Sequence, residues 1–271
     1  TYEKCYKYQK KNIIDVFEPD IFIHTEEETG ITRKTDKTNI EKKRNEVVTA
    51  KRLNELYDPT LYEIISPFTQ EERKEFKGIK LPQELIEEDP VQSAGNIPEF
   101  YGVKQCNNLK NRWEDERGYD YELVIRMRPD LMIKSKIPDK VIENPNILWH
   151  TYPPGDSVSN KLAISNPENM DYYSSVWDKL PEYWENPLAN GNPHKYRVGE
   201  RLVKHHMEIS SIETDWFDID SKILRRREVL ANRIDTEPLL TVNNLKSAIH
   251  NPRITVEYIA GYVENRLGKF K

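Results

Sequence analysis

The chain has 271 residues, enough for one large domain or one domain with a small appendage. Charged residues make up 32% and apolar ones 37%, yet 15 Tyr, 7 Phe and 5 Trp supply bulky core material, so a folded and highly solvated domain is expected. A net charge of −5 argues against a dominant electrostatic grip on nucleic acid, with a local basic patch still open.

The two cysteines, Cys5 and Cys106, are too few for a disulfide framework and lack zinc-site spacing, which predicts a reducing, cytoplasmic setting. No stretch approaches the length of about 20 apolar residues that spans a bilayer, and no charged-then-apolar leader opens the chain. A soluble, unsecreted protein is the expectation.

In chain order, Tyr6, Gln9, Ile13, Val16 and Phe17 fall at roughly helical spacing, and "EPDIFIHT" then predicts a proline break and a short buried strand. Residues 25–45 are almost entirely polar and predict an exposed loop leading into a helix through "NEVVTAKRLNELYD". "TLYEIISPF" reads as a strand, and the stretch from Thr69 to Pro98 as a long excursion. Phe100, Val103, Cys106, Leu109 and Trp113 mark one buried helical face, which Gly118 ends.

"YDYELVIRMRPDLMI", "NILWHT" and "NKLAISN" then read as strands, with Asn166 and Pro167 as N-cap and first residue of the helix "ENMDYYSSVWDKL". A further helix covers "VGERLVKHHMEI", and residues 236–271 read as a separate helical tail. Strands alternating with helices predict an α/β layered fold with a mostly parallel central sheet.

The chemistry concentrates in "IRMRPD". Side chains alternate on a strand, so Arg126, Arg128 and Asp130 share a face if extended geometry persists that far. Pro129 biases Arg128 toward extended backbone and removes a ladder donor, which predicts a strand end at the carboxyl edge of the sheet. Open α/β sheets bind ligands there. Each guanidinium needs a carboxylate, carbonyls or a ligand phosphate, so an internal Arg–Asp pair and an anion site are both open readings.

The segments "GYDYELVIRMRPDLMI", "TYEKCYKYQKKNIIDVFEPDIFIHT", "SNKLAISNPENMDYYSSVW" and "VGERLVKHH", in this order over about residues 1–230, resemble a group of glycosyltransferase-like proteins of bacteria, phages and large viruses. The resemblance implies a GT-A-like, Rossmann-like domain over 1–235, with a preceding strand that ends in a Ser-Gly-Gln-x-Arg type turn upstream of Thr1. It implies a nucleotide-sugar donor, a glycan or protein-linked glycan acceptor, and Mn²⁺ or Mg²⁺ on the diphosphate. Arg128-Pro129-Asp130 stands where such proteins carry Asp-x-Asp, so Asp130 alone corresponds to the metal carboxylate, with Arg126 and Arg128 sharing the diphosphate charge. A metal-independent reaction is the other option.

Proteins of that group tend to carry an aspartate where Asn160 stands, so if the resemblance implies a base at that position, it is lost or moved here, with Asp156 as a substitute. Glu200 matches a recurrent glutamate, and also suits a helix N-terminus. His24, at the end of its predicted strand, is placed near donor or metal. His205 and His206 lack metal-ligand spacing and read as structural. Arg225, Arg226 and Arg227 read as a solvated face or an anion contact. Tyr172, Tyr173, Trp177, Tyr183 and Trp184 offer a stacking platform for sugars, although helical spacing favours core packing for Tyr173 and Trp177. No nucleophile elbow, Walker loop or dinucleotide fingerprint occurs, so hydrolase, NTPase and dehydrogenase readings are unsupported. The alternative from another class is a catalytically inactive glycan- or nucleotide-binding module of a viral or cell-surface assembly.

Overall fold

A computed structural model describes residues 2–29, 32–34, 40–42, 46–69, 71–88, 90–152, 155, 157–185 and 199–224. Asp156, the arginines 225–227 and the expected tail at 236–271 lie outside the described residues.

The chain opens with helix α1 (Tyr2–Gln9), which widens into a π-helical turn over Lys10–Ile14. Strand β1 (Phe22–Glu26) leads through helix α2 (Ala50–Tyr57) to strand β2 (Leu61–Ile65), and β1 and β2 pair in parallel. A helix is the usual crossover between parallel neighbours, so this is one βαβ unit. Thr49 caps α2 by accepting from the Arg52 amide, and Asp58 leaves the helix with φ +43°. The stretch expected to be an exposed loop contains short antiparallel pairings of 28–29 with 46–47 and of 32–34 with 40–42.

The excursion from Thr69 is also more regular than expected. It holds a small hairpin, Glu75–Phe76 with Ile79–Lys80, and a short helix, Gln83–Glu88. The long helix α3 then runs Pro90–Arg117, beginning ten residues before the periodic stripe that announces it. Gly118, at φ +71°, ends it with its amide on the Glu114 carbonyl.

Strands β3 (Val124–Met127), β4 (Leu131–Ile133), β5 (Leu148–His150) and β6 (Leu162–Ser165) follow. Helices α4 (Pro167–Ser174), α5 (Val176–Glu185) and α6 (Gly199–Glu208) precede β7 (Thr214–Trp216) and β8 (Ser221–Ile223). One four-stranded sheet has the order β7-β5-β6-β3; β4 pairs antiparallel with β8.

This corrects the expected mostly parallel central sheet. In the four-stranded sheet only β5 and β7 are parallel, β6 runs antiparallel to both neighbours, and the β1–β2 pair is a separate sheet. The fold is mixed α/β. β6 is buried at every position, with Ala163 packing among the residues of α3 to α6 and Leu162 and Ile164 packing with Leu131, Ile133 and Trp149 on the other face. A third cluster joins Tyr2, Val48, Leu53 and Tyr57.

Asn166 caps α4 as expected, its Oδ1 accepting from the Asn169 amide at 2.9 Å while its Nδ2 donates to Asn146. Asn166→Ala is expected to cost about 1 kcal/mol, read as a lower urea midpoint at unchanged slope. No helix among the described residues is long and apolar enough to cross a membrane.

Candidate functional site

On β3 the alternation of a strand decides which side chains meet. Ile125 and Met127 pack with the Leu131–Trp149 cluster, and Val124 packs on the opposite face, toward α3. Arg126 shares Val124's face, where its Nη1 donates to the main-chain carbonyl of Asn160.

Extended geometry stops at Met127, one residue before Arg128 and three before Asp130. Residues 128–131 form a tight turn, with the Leu131 amide on the Arg128 carbonyl at 3.1 Å and Pro129 at its second position. Asp130 therefore folds back onto Arg128 instead of following the strand face. Arg128 Nε and Nη2 each donate to one carboxylate oxygen at 2.9 Å, a bidentate pair whose side chains remain 37% and 25% exposed.

This turn is clamped from a distance. Gln9, fully buried at the end of α1, donates through Nε2 to the carbonyls of Leu131 (2.8 Å) and Pro129 (3.2 Å), and its Oε1 accepts from the Tyr57 hydroxyl. Asn12 donates to the Ile133 carbonyl, and the Leu224 amide bonds the Asp130 carbonyl. The opening helix thus serves to fix the Arg-Pro-Asp turn.

Three further elements converge on the arginines. Asn160, just before β6 and 5% exposed, donates through Nδ2 to Glu99 Oε1 of α3 at 2.6 Å, and its Oδ1 has no hydrogen-bond partner. Glu200, in the first turn of α6, accepts from the Tyr152 hydroxyl at 3.3 Å, while Lys161 Nζ lies over the Tyr152 ring. Gly199 brings α6 close: a Cβ there would stand 3.4 Å from Glu99 Oε2 and 3.5 Å from Asn160 Nδ2. Tyr173 of α4 supports the floor, its hydroxyl donating to the Ser159 carbonyl.

Electrostatics separate the two glutamates' surroundings. Burial pushes the Glu99 carboxyl above the usual range and the Glu200 charge adds to this, against the opposing pull of Arg126, Arg128 and the Asn160 amide. Burial works against the Arg128 charge, but Asp130, Glu99 and Glu200 more than offset it. The Tyr152 hydroxyl is pushed up to about 12 by burial and by Glu200.

Of the residues singled out in the sequence, Arg126, Arg128, Asp130 and Glu200 therefore meet, and His24 does not join them. β1 continues two residues past His24, so the imidazole sits mid-strand, with Tyr101 and Gly102 of α3 against its ring and Glu63 Oε2 3.8 Å from its Nε2. His206 is structural, bonded to Tyr183 and stacked on Tyr172. Tyr173, Trp177, Tyr183 and Trp184 are core residues and offer no stacking platform.

Glu99 and Tyr152 escaped the sequence reading, which placed Gln9 on a helical stripe but not as a clamp. Extending the spacing of Val103 and Cys106 back one turn lands on Glu99, a carboxylate on an apolar stripe, and that was the available signal. No protein-family model, curated protein or solved structure matches the chain.

Proposed function

We propose that this chain is a glycosyltransferase on a GT-A-like, Rossmann-like scaffold, moving a sugar from a nucleotide-diphospho-sugar to a hydroxyl of a glycan or other acceptor. The observation that carries the reading is the convergence of Arg126, Arg128 and Asp130 with two glutamates at the end of β3. Asp130 engages Arg128 through Nε and Nη2, leaving further guanidinium donors on a partly exposed side chain for a diphosphate oxygen. A cation held rigid in this way stabilises the leaving diphosphate without reorganisation as the glycosidic bond breaks. Glu200 orients the acceptor hydroxyl, and Asp156 is the other carboxylate proposed from sequence.

The expected Mn²⁺ or Mg²⁺ fits these residues poorly. Both Asp130 oxygens are engaged by Arg128, and among the described residues no group of three His, Cys, Asp or Glu side chains is placed to hold an ion. A divalent ion would need Asp130 released and most of its oxygens from phosphate and water, so no step is routed through it.

A second reading, a catalytically inactive glycan- or nucleotide-binding module, is favoured by one observation: the bidentate pair already neutralises Arg128 from within the chain. A thermal-shift screen of UDP, GDP, CDP and dTDP, each with and without Mn²⁺, tests for nucleotide binding, and hydrolysis or transfer of the sugar from the matching donor separates a transferase from an inactive nucleotide-binding module. At 100 times Kd, one nucleotide is expected to add about 2.7 kcal/mol, or roughly 5–10 °C for a chain of this size. No response to any nucleotide from folded protein would overturn the transferase reading.

A further inference from the structure

We infer that Glu99 is the proton-accepting carboxylate of this site and that Asn160 is its positioning residue. The inference rests on the transferase reading and deepens it. Two carboxylates face Arg128 in unlike surroundings: Glu200 bonds a tyrosine hydroxyl, whereas Glu99 is set into the apolar face of α3 and held by one short bond from a buried amide. Paired carboxylates whose surroundings differ divide acid and base roles between them. Asn160 cannot itself be a base, but its Nδ2 fixes Glu99 Oε1 at 2.6 Å and its Oδ1 is a buried acceptor without a partner. A buried acceptor left unpaired is costly, and a second hydroxyl of the acceptor sugar, donating to it while the reacting hydroxyl donates to Glu99, would satisfy it.

In the step this implies, the acceptor O–H bond breaks and its proton goes to Glu99. The acceptor oxygen forms the new bond to the anomeric carbon, and the old glycosidic bond breaks with its electron pair moving to the diphosphate oxygen, opposite Arg128. Glu200 orients the hydroxyl. The groups facing Glu99 are Arg126 and Arg128 from β3 and its turn, Asn160 from the approach to β6, Glu200 from α6, Tyr173 from α4 and Tyr152 from the segment after β5. Burial raises the Glu99 carboxyl toward the pH at which such a base works best.

The test uses Glu99→Gln, which keeps an oxygen for the Asn160 amide, together with Asn160→Ala. Carbon-13 titration of the glutamate carboxyls is expected to show one raised midpoint that is missing in Glu99→Gln and higher still in Asn160→Ala, which lacks the bond favouring the ionised form. With UDP-glucose, UDP-galactose, GDP-mannose and dTDP-glucose as donors and water as the probe acceptor, Glu99→Gln is expected to lose about 100-fold in hydrolysis, together with the acid limb of the pH profile. Its nucleotide-induced thermal shift should match wild type. Hydrolysis and an acid limb that survive in Glu99→Gln would overturn the inference and leave the transferase reading intact, as would glutamates that all titrate in the ordinary range. A wild-type protein that neither shifts with nucleotide nor hydrolyses any donor would overturn the reading and the inference together.

Discussion

Arg128→Ala is expected to lower sugar transfer by about 10²–10³-fold, the usual loss when one preorganised donor is removed from a developing charge, while the protein stays folded. The stability side follows from exposure. The Arg128–Asp130 pair joins neighbours in one turn and is partly open to solvent, which keeps its contribution to about 1 kcal/mol or less. The backbone of the turn is held independently by Gln9 and Leu224. Arg128→Lys keeps the charge but loses the planar fork, so it should recover little of the loss. Asp130→Asn retains a cation with a looser orientation, and its loss in kcat should be smaller than that of Arg128→Ala. The double variant tests the coupling: if Asp130 acts only by orienting Arg128, Asp130→Asn should add nothing once Arg128 is alanine. Transfer within threefold of wild type in a folded Arg128→Ala protein would remove Arg128 from the site.

What the sequence made legible at this site was local, and what it concealed depended on distant partners. The β3 strand, the Gly118 stop and the Asn166 cap each follow from a few adjacent residues. Pro129 was ambiguous, because proline favours an extended predecessor and also the second position of a turn. The turn is the outcome here, clamped by Gln9 and Leu224, neither of which is near it in sequence. Sheet direction was misread for a related reason. "KLAIS" and "NILWH" are apolar on both faces and so look like parallel strands, yet both faces of an antiparallel β6 are covered, by α3 to α6 on one side and by the Leu131–Trp149 cluster on the other. Glu99 was lost because the long excursion was carried to Pro98 and the helical face began at Phe100, whereas α3 runs through that proline from Pro90. His24 was misplaced because its strand was ended two residues early.

Acid should destabilise this protein through its buried histidines. Three histidines, His24, His150 and His206, are driven toward the neutral form by burial, His150 down to about 4. His150 is 6% exposed, at the end of β5, and its Nδ1 accepts from the Tyr152 amide, a role that requires the unprotonated ring nitrogen. A histidine whose folded pKa lies below its unfolded value near 6.5 takes up its proton first in the unfolded chain. Its contribution is therefore complete above pH ~6.5 and is lost as pH falls toward the folded value. For His150 alone a difference of that size corresponds to about 3 kcal/mol between pH ~6.5 and pH ~4, and His24 and His206 act in the same direction. Urea unfolding should thus show a steep fall in stability across this window. His150→Asn, which keeps an acceptor for the Tyr152 amide without a titrating ring, should flatten that limb even if it costs packing at neutral pH. An acid limb as steep in His150→Asn as in wild type would show that His150 titrates normally. The same limb bears on function, because protonating His150 breaks the bond that positions the Tyr152 backbone, and Tyr152 carries the hydroxyl that holds Glu200 at the site.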